Sequence, residues 1–143
     1  MKKISLVLPL LFLASACNQQ APLVNINGHV VKVQIAATDQ TRQQGLSGRE
    51  VLADDAGMLF VFDQPGTYPF WMKGMKFPLD FIWILNHKVV EITPDVPVET
   101  DSGQSDLTQY SPSEPVDSVL EVNAGYTASN NIRVGDDVKI PTY

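Results

Sequence analysis

Thiol chemistry has almost no place in this chain. Cys17 is the only cysteine among 143 residues, so the folded part can hold no internal disulfide and no thiolate metal site. Its stability must come from an apolar core. Histidine is nearly as scarce: His29 and His87 stand far apart, neither has a second His, Cys or carboxylate at ligand spacing, and no zinc centre is expected. Basic charge is also short. Ten Lys and Arg face sixteen Asp and Glu, a net charge of −6, which argues against nucleic acid and anionic lipid headgroups as partners. G-x-S-x-G, the P-loop, G-x-G-x-x-G and H-E-x-x-H are all missing, and Ser and Thr lack a nearby His, so the commonest hydrolytic and nucleotide chemistries lose support and no cofactor is expected. Asp101 to Asp106 offers oxygen ligands around Gly103 without the twelve-residue calcium-loop pattern. Long 3.6-period segments are lacking too, which leaves little room for helix.

At the start of the chain, Lys2 and Lys3, the apolar run Ile4 to Leu13 and Ala14-Ser15-Ala16 before Cys17 have the three parts of a secretory signal peptide. Small residues just ahead of a lone cysteine resemble a lipobox, with residues 1–16 removed and Cys17 becoming the lipid-modified first residue. Two or more acyl chains give stable anchoring. Asn18, in place of the Asp that retains lipoproteins at the inner membrane, points to an outer-membrane position facing the periplasm. Loss of Lys2 and Lys3 leaves eight basic against sixteen acidic side chains, a net charge of −8. Residues 17–28 then read as lipid anchor and tether, and 29–143 as a single domain.

Asn27-Gly28 signals a turn between Leu23-Val24-Asn25-Ile26 and the alternating run His29 to Ala36. Thr38 or Asp39 can cap a two-turn helix through Gln44 that stops near Gly45. Met58 to Phe62, Phe70-Trp71-Met72, Phe77 to Leu85, Lys88 to Thr93, Val116 to Val122 and Ile132 to Ile140, the last broken by Gly135-Asp136, read as further short strands, with Asn86-His87 as a hairpin tip and a helical turn within Asn123 to Asn131. These predict a mostly β fold: a compact sandwich or barrel of short strands with one or two short helices. Pro94 to Pro115 stands apart, with four prolines, five acids and no Lys or Arg in twenty-two residues, and reads as a loose loop.

Charges set among bulky apolar residues mark the candidate site. In Phe77 to Leu85, period-two alternation places Leu79, Phe81, Trp83 and Leu85 on one face and Asp80, Ile82 and Ile84 on the other. Asp80 must therefore sit at an open end, be bonded by backbone, or be paired with Lys73, Lys76 or Arg49. Trp71 and Lys73 would project from one side of a strand, an arrangement suited to a planar or polar ligand. Glu121 is an acid between Leu120 and Val122 that could complete a carboxylate pair with Asp80. The ligand-binding candidates are Arg49, Trp71, Lys73, Asp80, Tyr110 and Glu121. They suit a membrane-tethered, non-enzymatic module that binds a small ligand or envelope polymer. The alternatives are a hydrolase or lyase acting on a polysaccharide through Asp80 and Glu121, and a protein-interaction module that uses the acidic loop 94–115.

The words Gly45-Leu46 with Arg49, GMLFVF, FWMK, PLD, Val119-Leu120-Glu121-Val122, Ala124-Gly125 and Val134-Gly135-Asp136 together resemble the DUF192 family of small bacterial and archaeal proteins. The likeness runs from about Val31 to Ile140. It implies a small β-rich barrel or sandwich, no assigned reaction, and polar positions at Arg49, Lys73, Asp80 and Glu121. Four features depart from the family pattern: Gly74-Met75 stands where Asn-Thr usually follows FWMK, Gln44 and Ser47 stand where Arg and Met flank Gly-Leu, and the cysteines that many relatives carry before Tyr110 are missing.

Overall fold

The computed structural model describes residues 21–99 and 107–142, so the signal-peptide and Cys17 readings and the Asp101 to Asp106 stretch lie outside the described residues. Seven strands and two short helices follow one another as β1 Leu23–Ile26, β2 His29–Ala36, α1 Asp39–Gln44, β3 Ala56–Gly66, β4 Leu79–Leu85, β5 Lys88–Val96, β6 Val116–Asn123, α2 Tyr126–Ser129 and β7 Val138–Lys139. The strands form one sheet in the order β5-β4-β6-β3-β2-β1-β7. Only β2 and β3 run parallel, and α1 lies in the crossover between them, as a parallel pair requires. The two ends of the sheet meet at one point: Lys88 bridges Asp137, Val89 N–H donates to Asp136 O at 2.9 Å, and Val138 N–H donates to His87 O at 2.8 Å. These contacts curl the sheet into a half-barrel.

Local chemistry explains the elements that the sequence announces. Asn27-Gly28 and Asn86-His87 all have positive φ, the conformation that two-residue hairpin loops need to match strand twist. Thr38 and Thr41 form a reciprocal capping box at the start of α1, and Gly45 N–H returns to Thr41 O at its end. The helix ends after six residues because Gly45 stops it.

Both faces of the curl are buried. Val24, Ile26, Val31, Leu59, Ile82, Ile84 and Leu120 pack on one face, and Met58, Phe60, Leu79, Phe81 and Trp83 on the other. That second face is covered by Leu46, Phe70, Met72 and Met75, which come from irregular chain. Double burial is why β4 is apolar at every position but one. The buried Trp83 indole donates to Thr93 Oγ1 at 2.8 Å, so its polar atom is satisfied.

Three sequence expectations are corrected. Phe70-Trp71-Met72 is not a strand: only Phe70 forms a bridge, with Tyr110, while 67–69 and 71–78 are irregular because the segment serves as a cover and not as a sheet member. The segment Ile132 to Ile140 contributes just Val138–Lys139, since Gly135 and the turn around it are spent on closing the curl. Leu23–Ile26 pairs with both β2 and β7, so the sheet already includes residues 23–26, ahead of the expected domain start at residue 29. In the stretch 94–115, Pro94 to Val96 completes β5 and Tyr110 is pinned to Phe70.

Gly57 marks the tightest strand approach. A Cβ there would lie 2.6 Å from the backbone oxygen of Glu121, an atom that belongs to the adjoining strand and cannot give way cheaply. Gly57→Ala is therefore expected to lower stability by roughly 2–3 kcal/mol. Denaturant unfolding should show this as a lower midpoint with an unchanged slope.

Candidate functional site

β6 lies between β3 and β4, and Glu121 sits directly opposite Met58 on one side and Phe81 on the other. It is 5% exposed. Burial pushes its carboxyl from 4.5 up to about 8, with no hydrogen bond or neighbouring charge among the described residues to offset the loss of water. At neutral pH this group is a carboxylic acid, able both to donate and to accept.

Glu121 opens onto a cleft of about 720 Å³. Its walls come from α1, the turn Gly45-Leu46-Ser47, Phe60 and Phe62 of β3, and the irregular segment from Tyr68 to Met75. Aromatic packing holds these walls. Phe60 meets Phe70 edge-on at 4.9 Å between centroids, and Phe62 stacks on Tyr68 at 3.6 Å with the planes 7° apart. Arg42 reaches over from α1, its guanidinium 5.2 Å from the Phe62 ring, and donates to Ala37 O, Val61 O and Asp39 Oδ1. It staples helix to sheet and has its charge met by Asp39. Trp71, 39% exposed, and the exposed Lys73 stand at the rim. Among the described residues Lys73 makes no ion pair.

Gly74 and Ser47, two departures from the family pattern, meet in space. Gly74 has φ +70°, and the Ser47 hydroxyl fills the place that a Cβ at position 74 would take. Gly48 N–H also donates to Gly74 O at 2.9 Å, which ties the turn after α1 to the cover segment. Met75 is buried in the core beneath the cleft.

Asp80 is elsewhere. It is fully buried on the opposite face of β4 from Phe81, and its carboxylate is held by the backbone alternative, not by Lys73, Lys76 or Arg49. Oδ1 accepts from Asp95 N–H at 2.9 Å and Gly125 N–H at 3.0 Å, while Oδ2 accepts from Thr127 N–H at 2.9 Å and Thr127 Oγ1 at 2.6 Å. Four donors leave no reason for a cation. Lys76 pairs with Glu50, and Arg49 donates to Gln34 Oε1 at 2.6 Å. Asp80 lies opposite Val122 while Glu121 lies opposite Phe81, so the two acids point to opposite faces of the sheet and form no carboxylate pair. Tyr110 bridges Phe70 and packs edge-on to Phe81 at 5.8 Å, within the core and not in the cleft.

Trp71, Lys73 and Glu121 are thus brought together, and Arg49, Asp80 and Tyr110 are not. Arg42, Phe62 and Tyr68 belong to the cleft and escaped the sequence reading. The Asp39 and Arg42 spacing of one helical turn is a legible pair signal. Its placement over β3 depends on the crossover. A second, shallower depression of about 480 Å³ includes His29, Asp54, Asp55 and Tyr126, whose hydroxyl is pushed up by burial and then by Asp55. No cluster of metal-ligating side chains occurs among the described residues.

Two solved structures share this architecture. A "putative transcription regulator" from Sinorhizobium meliloti 1021 is 28% identical, with a TM-score of 0.74 over 82% of this chain and 92% of that one. A protein of unknown function from Novosphingobium aromaticivorans DSM 12444 is 30% identical, with a TM-score of 0.74 over 82% of this chain and 83% of its own. No curated protein matches the sequence. Residues 23–140 match the family described as DUF192, Uncharacterized ACR, and the chain belongs to it.

Proposed function

We propose that the protein is a non-enzymatic binding module that takes a small ligand, or one unit of a polymer, in the cleft beside α1. The observation that carries this reading is a buried carboxyl, without a partner among the described residues, on the wall of an aromatic-lined opening. Desolvating an ionisable group is costly, and a group left in that state at an accessible surface is a standing offer to a ligand. Aromatic walls supply area and the carboxyl supplies orientation, the usual division of labour in small-molecule sites. Lipidation at Cys17 would tether the module to the envelope, facing the periplasm. The net charge of −6 weighs against direct contact with nucleic acid.

The two tryptophans give a direct test. Trp71 is at the rim, whereas Trp83 is fully buried in β4 and does not line the cleft, so a ligand there should change chiefly the emission of Trp71. A library of envelope sugars, peptides and small metabolites should contain compounds that alter fluorescence and raise the melting temperature. Trp71→Phe should abolish the fluorescence change while leaving much of the thermal shift. A library without any thermal shift would refute the reading.

A further inference from the structure

We infer that the cleft takes an organic cation, an amine carried on a flat or branched hydrocarbon body, with its ammonium seated against the Glu121 carboxyl. This rests on the cleft being a ligand site and names the class of ligand. Three features favour positive charge. Glu121 lies in the wall of the cleft with its β3 and β4 neighbours, Met58 and Phe81, offering it neither charge nor hydrogen-bond donor. The rings of Phe60 and Phe70 line the same space, and aromatic rings attract ammonium groups. The chain as a whole is acidic, which raises the local concentration of cations.

The titratable groups around the cleft do not supply the missing charge. Asp39 and Arg42 of α1 neutralise each other, and Arg42 is further held by two carbonyls. Tyr68 donates its hydroxyl proton to Gln64 O at 2.5 Å. Lys73 is exposed, so solvent screens its ammonium. Neither Arg42 nor Lys73 acts on the ionisation of Glu121, which is shifted by desolvation alone. An entering ammonium would complete an ion pair that the protein leaves half-built. The balance is simple: the ligand keeps its proton and its charge, the Glu121 carboxylic acid gives its proton to water, and the carboxylate and ammonium pair. Binding therefore releases a proton below about pH 8 and releases little above it.

Benzylamine, benzyl alcohol and benzoate share a ring and differ in charge. Titrated at millimolar concentration against the protein and followed by amide NMR, benzylamine should shift signals around Trp71 and Glu121 and bind the tightest of the three. Its affinity should tighten by up to about tenfold per pH unit between about pH 6 and pH 8, then level off. Glu121→Gln should weaken benzylamine about tenfold or more and remove that pH dependence, while an amide spectrum dispersed like that of the parent shows that the variant is folded. The pH series on the unaltered protein stands without the variant. Tighter binding of benzoate, or an amine affinity that ignores pH, overturns the cation inference and leaves the cleft a ligand site. No shift with any probe overturns the inference, and the reading beneath it falls as well only if the compound library also gives no thermal shift.

Discussion

Alanine at Asp80 is expected to destabilise the protein by roughly 3–5 kcal/mol, because it strands three buried or half-buried backbone N–H groups and one hydroxyl at once. Asp80 joins the end of β5, through Asp95, to Gly125 and Thr127 at the start of α2. These segments are distant in sequence. A domain of this size has only about 5–15 kcal/mol in total, so the variant should melt roughly 10–20 °C lower. Asparagine keeps one acceptor but turns an N–H₂ toward N–H donors, and should recover little of the loss. Thermal unfolding by circular dichroism is sufficient. If Asp80→Ala melted within a few degrees of the parent, the hub role would be wrong.

Glutamine at Glu121 is expected to do the reverse, and more strongly as pH rises. The folded-state carboxyl is raised to about 8 from an ordinary 4.5, so below pH 4.5 both folded and unfolded chains hold the proton. Between the two values the unfolded chain gives up its proton and the folded chain keeps it. The folded state binds more protons in that window, so stability falls as pH rises through it and levels off above about 8. From pH 5 to pH 8 the parent should lose roughly 3 kcal/mol relative to the neutral glutamine variant. Other groups titrate in both proteins, so the readout is the difference between two denaturation series. A difference that stays flat with pH would mean that Glu121 is ionised in the fold.

These two acids also show where sequence reasoning stopped. Alternation along β4 correctly divided Leu79, Phe81 and Trp83 from Asp80, Ile82 and Ile84, because a pleated strand fixes sidedness locally. The partners of Asp80 come from Asp95, Gly125 and Thr127, which only the folded topology brings together. Likewise Glu121 was visible as an acid in an apolar strand. That it faces Phe81 and away from Asp80 follows from the β4 and β6 register, which no local pattern encodes. Hairpin turns, the α1 cap and the mostly β class were legible because each rests on backbone preferences of a few adjacent residues. The segment 67–78 was misread as a strand at Phe70-Trp71-Met72 since its apolar residues serve as a lid on a sheet face, and a lid has no period. Curling was hidden for a similar reason: its closing contacts join His87, Lys88 and Val89 to residues 135–138 across the whole half-barrel.

The claim on which the site depends is that Glu121 is an uncharged acid in the wall of an open cleft. Titration of its side-chain carboxyl carbon by NMR tests this directly. The account predicts a midpoint at about 8, whereas a midpoint near 4.5 would contradict it.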